Sequence, residues 1–312
     1  VTVRSRFERM VSAVERAQVL DAPSYQVEHG VSLTFLLAGR YARPLQDLLH
    51  GVWLGHPVHP FLVTVPVGAW TAAALLDGLD ATGRGGPGTA QAAQAVVGLG
   101  VAGAVASAAT GMTDWQHAHD EARRVGLVHA ALNSTALALY SWSLADRRRG
   151  RAVRARVTAA VGYAVVLAGG YLGGTLSYRH RLGVDHSVGS REPRRFTRVA
   201  DLADLPDGEP VGVDVAGVPV VLVGTEGAVR AVSGRCPHQG APLGEGWLHR
   251  DELVCPWHGS RFDLDTGEPA QGPSTAPLPC YDTRIRDGRV EVRRRAHWRS
   301  ATALTTVEEA SR

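Results

Sequence analysis

Two short segments hold the residue types best suited to chemistry. CPHQG at 236–240 and CPWHGS at 255–260 each pair a cysteine with a histidine, and together they use two of the chain's three cysteines. The order is C-x-H, sixteen residues, then C-x-x-H. Two thiolates and two imidazoles satisfy a tetrahedral zinc ion. A zinc finger, however, groups its cysteines together and its histidines together. Here each loop supplies one of each. That mixture suits a two-iron cluster in which one iron takes both thiolates and the other both imidazoles. The glycines and prolines beside each ligand let the backbone fold tightly over inorganic sulfide.

The pattern resembles a Rieske 2Fe-2S domain of the ferredoxin-like type, through SGRCPHQGAPLGEG, CPWHGSRFDLDTGE and the later GPSTAPLP, a likeness that runs over residues 193–295. The resemblance implies that Cys236 and Cys255 bind one iron and that His238 and His258 bind the other. It implies that GPSTAPLP is a proline-containing loop covering the cluster. Ser260, in the second loop, is placed to donate a hydrogen bond to cluster sulfide. Quinol-oxidising Rieske proteins carry an extra cysteine in each loop, joined as a disulfide. Gly240, Ala241 and Trp257 stand where those are expected. Such proteins also carry a tyrosine two residues past the serine, where this chain has Phe262. Histidine ligation leaves the oxidised cluster formally neutral, which raises its potential over an all-cysteine cluster. Loss of the tyrosine hydroxyl removes one donor and points to the lower part of the Rieske range. Cys280 has no partner and reads as a small buried residue.

The elements that position these loops change character along the chain. Residues 6–20 read as a short amphipathic helix ended by a turn at DAPS. Four uncharged runs follow at 58–76, 91–113, 125–145 and 157–178. Each matches the ~20 residues that cross a bilayer as a helix. Small residues are dense in the second and fourth, which lets helix backbones approach closely in lipid. From residue 196 the period shortens. PVGVDVAGVPVVLVGTEGAVRAVSG alternates β-branched and turn residues, and RIRDGRVEVRRR reads as a hairpin with Asp287-Gly288 at its turn. The expected fold is multi-domain: a four-helix transmembrane bundle followed by an all-β iron–sulfur domain. The expected boundaries are an N-terminal segment 1–44, the membrane domain 45–185, a linker 186–195, the cluster domain 196–298 and a tail 299–312.

Histidines mark one end of the apolar runs. His56 and His59 open the first run, His129 sits one turn inside the third with Asn133 at i+4, and His180 follows the fourth. Four antiparallel spans place all of these on the side from which the cluster domain emerges. They form a candidate membrane-side site for haem, another metal or a quinone. Interfacial caps on helix ends are the competing reading for the set. Polar groups inside a span are costly and often functional, which singles out His129 with Asn133. Residues 45–185 are similar to a bacterial four-helix membrane domain, family 2231 of the domains of unknown function, through GHPVHPFLVTVPVGAW, TGMTDW, GLVHAALN and GGYLGGTLSYRHRLGV.

Net charge is +3, with no basic stripe interleaved with aromatics, so nucleic acid is a poor partner. The first 25 residues have no apolar signal-peptide core. The expected location is therefore the bacterial cell membrane, multi-pass. Six arginines within 146–156 favour a cytoplasmic loop there and an outward-facing cluster domain. Arg40, Arg43, Arg123, Arg124, Arg179 and Arg181 flank the other side. The expected function is membrane-bound electron transfer, with a redox partner protein or a membrane quinone. The alternative is a membrane-anchored, ferredoxin-like reductant for a separate oxygenase or dehydrogenase. A complete Rieske oxygenase would need a further mononuclear iron site. The 17 residues after the resemblance contain the single histidine His297.

Overall fold

The structure is a computed structural model that describes residues 3–187, 193–225 and 228–295. Residues 188–192 of the expected linker, His297 and the tail 299–312 lie outside the described residues. The chain divides into two compact units: Val1–Ala42 with Pro57–Gly183, and Arg43–His56 with Val184–Arg312.

The first unit is helical: α1 Val3–Arg16, α2 Asp21–Leu37, α4 Val58–Leu62, α5 Thr64–Ala81, α6 Thr89–Trp115, α7 Asp120–Arg148 and α8 Ala152–Tyr178. DAPS does not end a helix; it opens α2. Proline is tolerated in a first turn, where its missing N–H would have no intrahelical partner. The Ser24 hydroxyl there donates to the Asp21 carbonyl at 2.7 Å.

The four apolar runs fall on α4/α5, α6, α7 and α8. Among the described residues, three segments are long and apolar enough to cross a membrane: Val58–Ala81, Thr89–Trp115 and Ala152–Tyr178. α7 opens on DEARR and carries His129, Asn133, Ser134 and Thr135 within, which dilute its apolar character. Its acidic first turn and basic last turn complement the helix dipole. Only 22%, 22% and 28% of the most apolar windows of the three segments are buried. Leu75, Leu99, Val157 and Leu167 stand outward and exposed, an apolar exterior that marks a membrane-facing surface.

Inside, Trp70 of α5 stacks on Tyr140 of α7, ring centroids 4.0 Å apart. A Cβ on Gly100 of α6 would fall 2.2 Å from the Trp70 indole nitrogen, so glycine is required where α5 and α6 meet.

Among the described residues, the second unit contains α3, Ala42–His50, which it shares from Arg43 onward, and ten strands. These are β1 Thr197–Asp201, β2 Pro210–Val215, β3 Val218–Thr225, β4 Ala228–Ser233, β5 Trp247–His249, β6 Glu252–Val254, β7 Arg261–Asp263, β8 Pro269–Gln271, β9 Cys280–Arg286 and β10 Arg289–Arg294. They form a six-stranded sheet, β1-β10-β9-β4-β3-β2, and a four-stranded sheet, β5-β6-β7-β8. Asp287 and Gly288 both take positive φ, 51° and 73°, as a two-residue hairpin turn requires. Val220 to Val223 of β3 are fully buried on both faces. Cys236, Leu243, Leu253, Phe262 and Leu278 belong to one continuous core. The sheets thus brace the loop after β4 and the loop between β6 and β7, where the cysteine–histidine pairs sit.

Candidate functional site

The two loops share a backbone plan. In each, the cysteine amide donates to the carbonyl five residues on: Cys236 to Ala241 at 2.9 Å and Cys255 to Ser260 at 2.8 Å. In each, a glycine four residues on donates back to the cysteine carbonyl: Gly240 at 2.8 Å and Gly259 at 3.1 Å. Both glycines adopt positive φ, 77° and 71°, which closes the loop without a Cβ penalty. Sequence spacing hides this likeness, because the histidine falls second in one loop and third in the other.

The side chains converge. Cys236 and Cys255 are buried, and each is within hydrogen-bonding contact of the other. The Cys255 thiol is lowered to about 7 by its bond with Cys236 and by the His258 and Trp257 amides. The second deprotonation, at Cys236, is pushed well up by that same bond and by burial. His238 and His258 are half-buried, and their Nδ1 atoms lie 3.1 Å apart. Two nitrogens each ~2.0–2.1 Å from one metal stand about 3 Å apart. A buried thiol pair beside a half-exposed imidazole pair fits a two-iron cluster with one all-sulfur iron and one histidine iron.

A third segment closes over the loops. The Ser274 amide donates to Ser260 Oγ at 3.0 Å, and Gln271 Nε2 donates to the Gly259 carbonyl at 3.0 Å. Gly272, next to Pro273, donates its amide to Asp47 Oδ1 of α3 at 2.9 Å. Asp47 and the buried His50 beside Gly272 have no signal in the sequence motif. Cys280 is buried outside the site, with Sγ 3.6 Å from the Leu278 carbonyl; burial pushes its thiol up to about 11.

Residues 195–282 match the model of the Rieske [2Fe-2S] domain, and residues 55–186 match that of a predicted membrane protein domain, DUF2231. The chain is 37% identical over 91 residues to the ferredoxin component of the naphthalene 1,2-dioxygenase/salicylate 5-hydroxylase systems of Ralstonia sp, covering 29% of this chain and 88% of that protein. The chain belongs to the Rieske 2Fe-2S family. It is also 33% identical over 123 residues to apoptosis-inducing factor 3 of Homo sapiens, a match covering 38% of this chain and 20% of that protein. Among solved structures it is similar to the ferredoxin of carbazole 1,9a-dioxygenase from Nocardioides aromaticivorans IC177, with 35% identity and a TM-score of 0.31, covering 32% of this chain and 98% of that one. This Rieske protein carries a 2Fe-2S cluster, behind a segment that matches a predicted membrane protein domain.

The membrane-side histidines separate into distinct settings. His59 of α4 and His129 of α7 meet edge to face, ring centroids 6.5 Å apart. His59 Nδ1 is 2.8 Å from the Ser107 carbonyl, and His129 Nδ1 is 2.9 Å from the Gly169 carbonyl. A carbonyl accepts only from an N–H, so Nδ1 is the donor in each ring. Asn133 donates to the His129 carbonyl at 2.8 Å, and its Nδ2 stands 3.3 Å from both ring nitrogens. His180 lies apart, beside Glu15. His56 belongs to the cluster-bearing unit.

Proposed function

We propose that this Rieske protein is a membrane-bound electron carrier that exchanges electrons with a quinone or haem at the histidines of its membrane domain. The observation that carries the carrier role is the pair of Nδ1 atoms 3.1 Å apart beside two touching, buried cysteines. Cys236 and Cys255 would hold one iron, and His238 and His258 the other. The bound cluster supplies one-electron transfer. The chain's own residues keep the sulfur side dry, leave the imidazole edges within reach of a partner, and hold Ser260 through the Ser274 amide. His59, His129 and Asn133 form the best candidate for the membrane end, because two imidazoles from α4 and α7 meet there, each held through Nδ1 by a backbone carbonyl. α7 acts as a fourth span, so the chain crosses the bilayer four times. Its arginine-rich end lies in the cytoplasm and the cluster unit outside.

A second reading is favoured by the relatives: the ferredoxin component named above belongs to a dioxygenase system. This chain would then be a membrane-anchored reductant for a separate oxygenase or dehydrogenase. Purified membranes decide between the two. The first reading expects reduction of the cluster signal by added quinol or a Soret band from haem. Neither response, with normal reduction by a soluble flavoprotein reductase, overturns it in favour of the second.

A further inference from the structure

We infer that the first unit holds a divalent metal site built from Glu15, Glu121 and His180. Glu15 ends α1, Glu121 opens α7, and His180 follows α8. One ligand atom from each lies within 4.8 Å of the other two. The decisive feature is a pair of buried atoms. Glu15 Oε1 and His180 Nε2 are 3.1 Å apart, yet neither makes a hydrogen bond to any group. Glu15 is 5% exposed. A buried polar atom without a partner is costly, and native proteins pair nearly all of them. Two such atoms at this separation, misaligned for a hydrogen bond, suit a cation between them. Ligand atoms ~2.0–2.2 Å from one ion stand about 3 Å apart.

The other contacts of Glu15 hold it for this task. Its second carboxylate oxygen accepts from Arg179 Nη2 at 3.0 Å, and its backbone carbonyl accepts from Arg124 Nη1 at 2.6 Å. Oε1 is thereby left facing His180. Glu121 is exposed and closes the site from the water side, which leaves coordination positions for solvent. Two carboxylates and one imidazole, with no sulfur ligand, select borderline divalent ions such as zinc, manganese or ferrous iron over cuprous copper.

The consequence is mechanical. Val11 of α1 packs with Val125 of α7 and with Leu172 and Leu176 of α8. A metal bound by the last turn of α1, the first turn of α7 and the second residue after α8 would pin the N-terminal helix to the two helices that carry His129 and its carbonyl partner. This inference is independent of the cluster reading.

The test uses the full, cluster-loaded chain in detergent, stripped with a chelator and titrated with zinc alone. The wild type should retain about one zinc per chain beyond the cluster iron and melt at a higher temperature when loaded. Glu121→Gln, an exposed change, and His180→Gln should each weaken zinc binding by about tenfold or more and abolish the thermal shift, while the cluster spectrum and iron content stay unchanged. A wild-type chain that retains no zinc, or a Glu121→Gln chain that binds it as tightly as wild type, overturns the site and leaves an ordinary Glu15–His180 ion pair.

Discussion

The hydroxyl of Ser260 accepts the amide of Ser274 at 3.0 Å, and Ser260 is fully buried. Its oxygen is held by the proline loop, so its own proton is free to point toward the cluster loops. A donor to sulfide stabilises the reduced, more negative cluster. Ser260→Ala should therefore lower the midpoint potential with iron content retained. A one-electron couple moves ~59 mV for each ~1.4 kcal/mol of differential stabilisation. A bond to a charged group is worth ~1.5–3 kcal/mol, so the fall should be roughly 60–130 mV. Redox titration followed by paramagnetic resonance measures it; an unchanged potential removes Ser260 from the tuning set. The wild-type value should sit in the lower part of the ~−150 to +300 mV Rieske span, since Phe262 offers no hydroxyl.

The ligand set makes a sharper demand. His238→Ala or His258→Ala should abolish the Rieske resonance signal of the reduced full chain. Cys280→Ala should leave it intact, because Cys280 faces the Leu278 carbonyl and its thiol, raised to about 11, stays protonated at neutral pH. Loss of the signal in Cys280→Ala, with the fold preserved by circular dichroism, would contradict this ligand assignment.

What the sequence made legible was local. Cys236, His238, Cys255 and His258 sit in two loops short enough to read as motifs, and Asp287-Gly288 announced its own hairpin. Asp47 was not legible. It meets Gly272 across 225 positions, and nothing in ARPLQDLLH distinguishes a helix leading into a membrane span from one docked beneath a proline loop. The DAPS stretch misled for a different reason, since a proline that ends one helix also starts another well. Glu15 belongs to no motif, and His180 reads in the sequence as one of the membrane-side histidines; only the packing of α1 on α7 and α8 brings the two together.

Asp47 gives a prediction of its own. Asp47→Ala leaves the Gly272 amide without its acceptor, a loss of about 1–3 kcal/mol for a buried donor. Cluster absorbance should disappear at lower denaturant concentration, while Asp47→Asn, which keeps a carbonyl oxygen at the same place, should recover most of the difference. Identical midpoints for wild type and Asp47→Ala would show that α3 does not clamp the loop.

The last prediction concerns the membrane end. His59 and His129 approach to 6.5 Å between ring centroids, and each is oriented by a carbonyl on another helix, Ser107 for one and Gly169 for the other. Two polar rings inside an apolar bundle are costly unless used or paired. The carbonyls pair Nδ1 of each ring, and Asn133 Nδ2 stands 3.3 Å from Nε2 of His129. If the remaining nitrogens contact a quinone or bind haem, His129→Ala should slow cluster reduction by quinol in membranes by about tenfold or more, the scale expected for loss of one or more strong contacts. Reduction by dithionite and iron content should not change. His129→Gln retains a polar side chain but no imidazole lone pair, so it should remain slow, whereas a role limited to helix packing would let it recover. Wild-type rates in both His59→Ala and His129→Ala membranes would reduce the helical unit to an anchor and leave the cluster to a soluble partner.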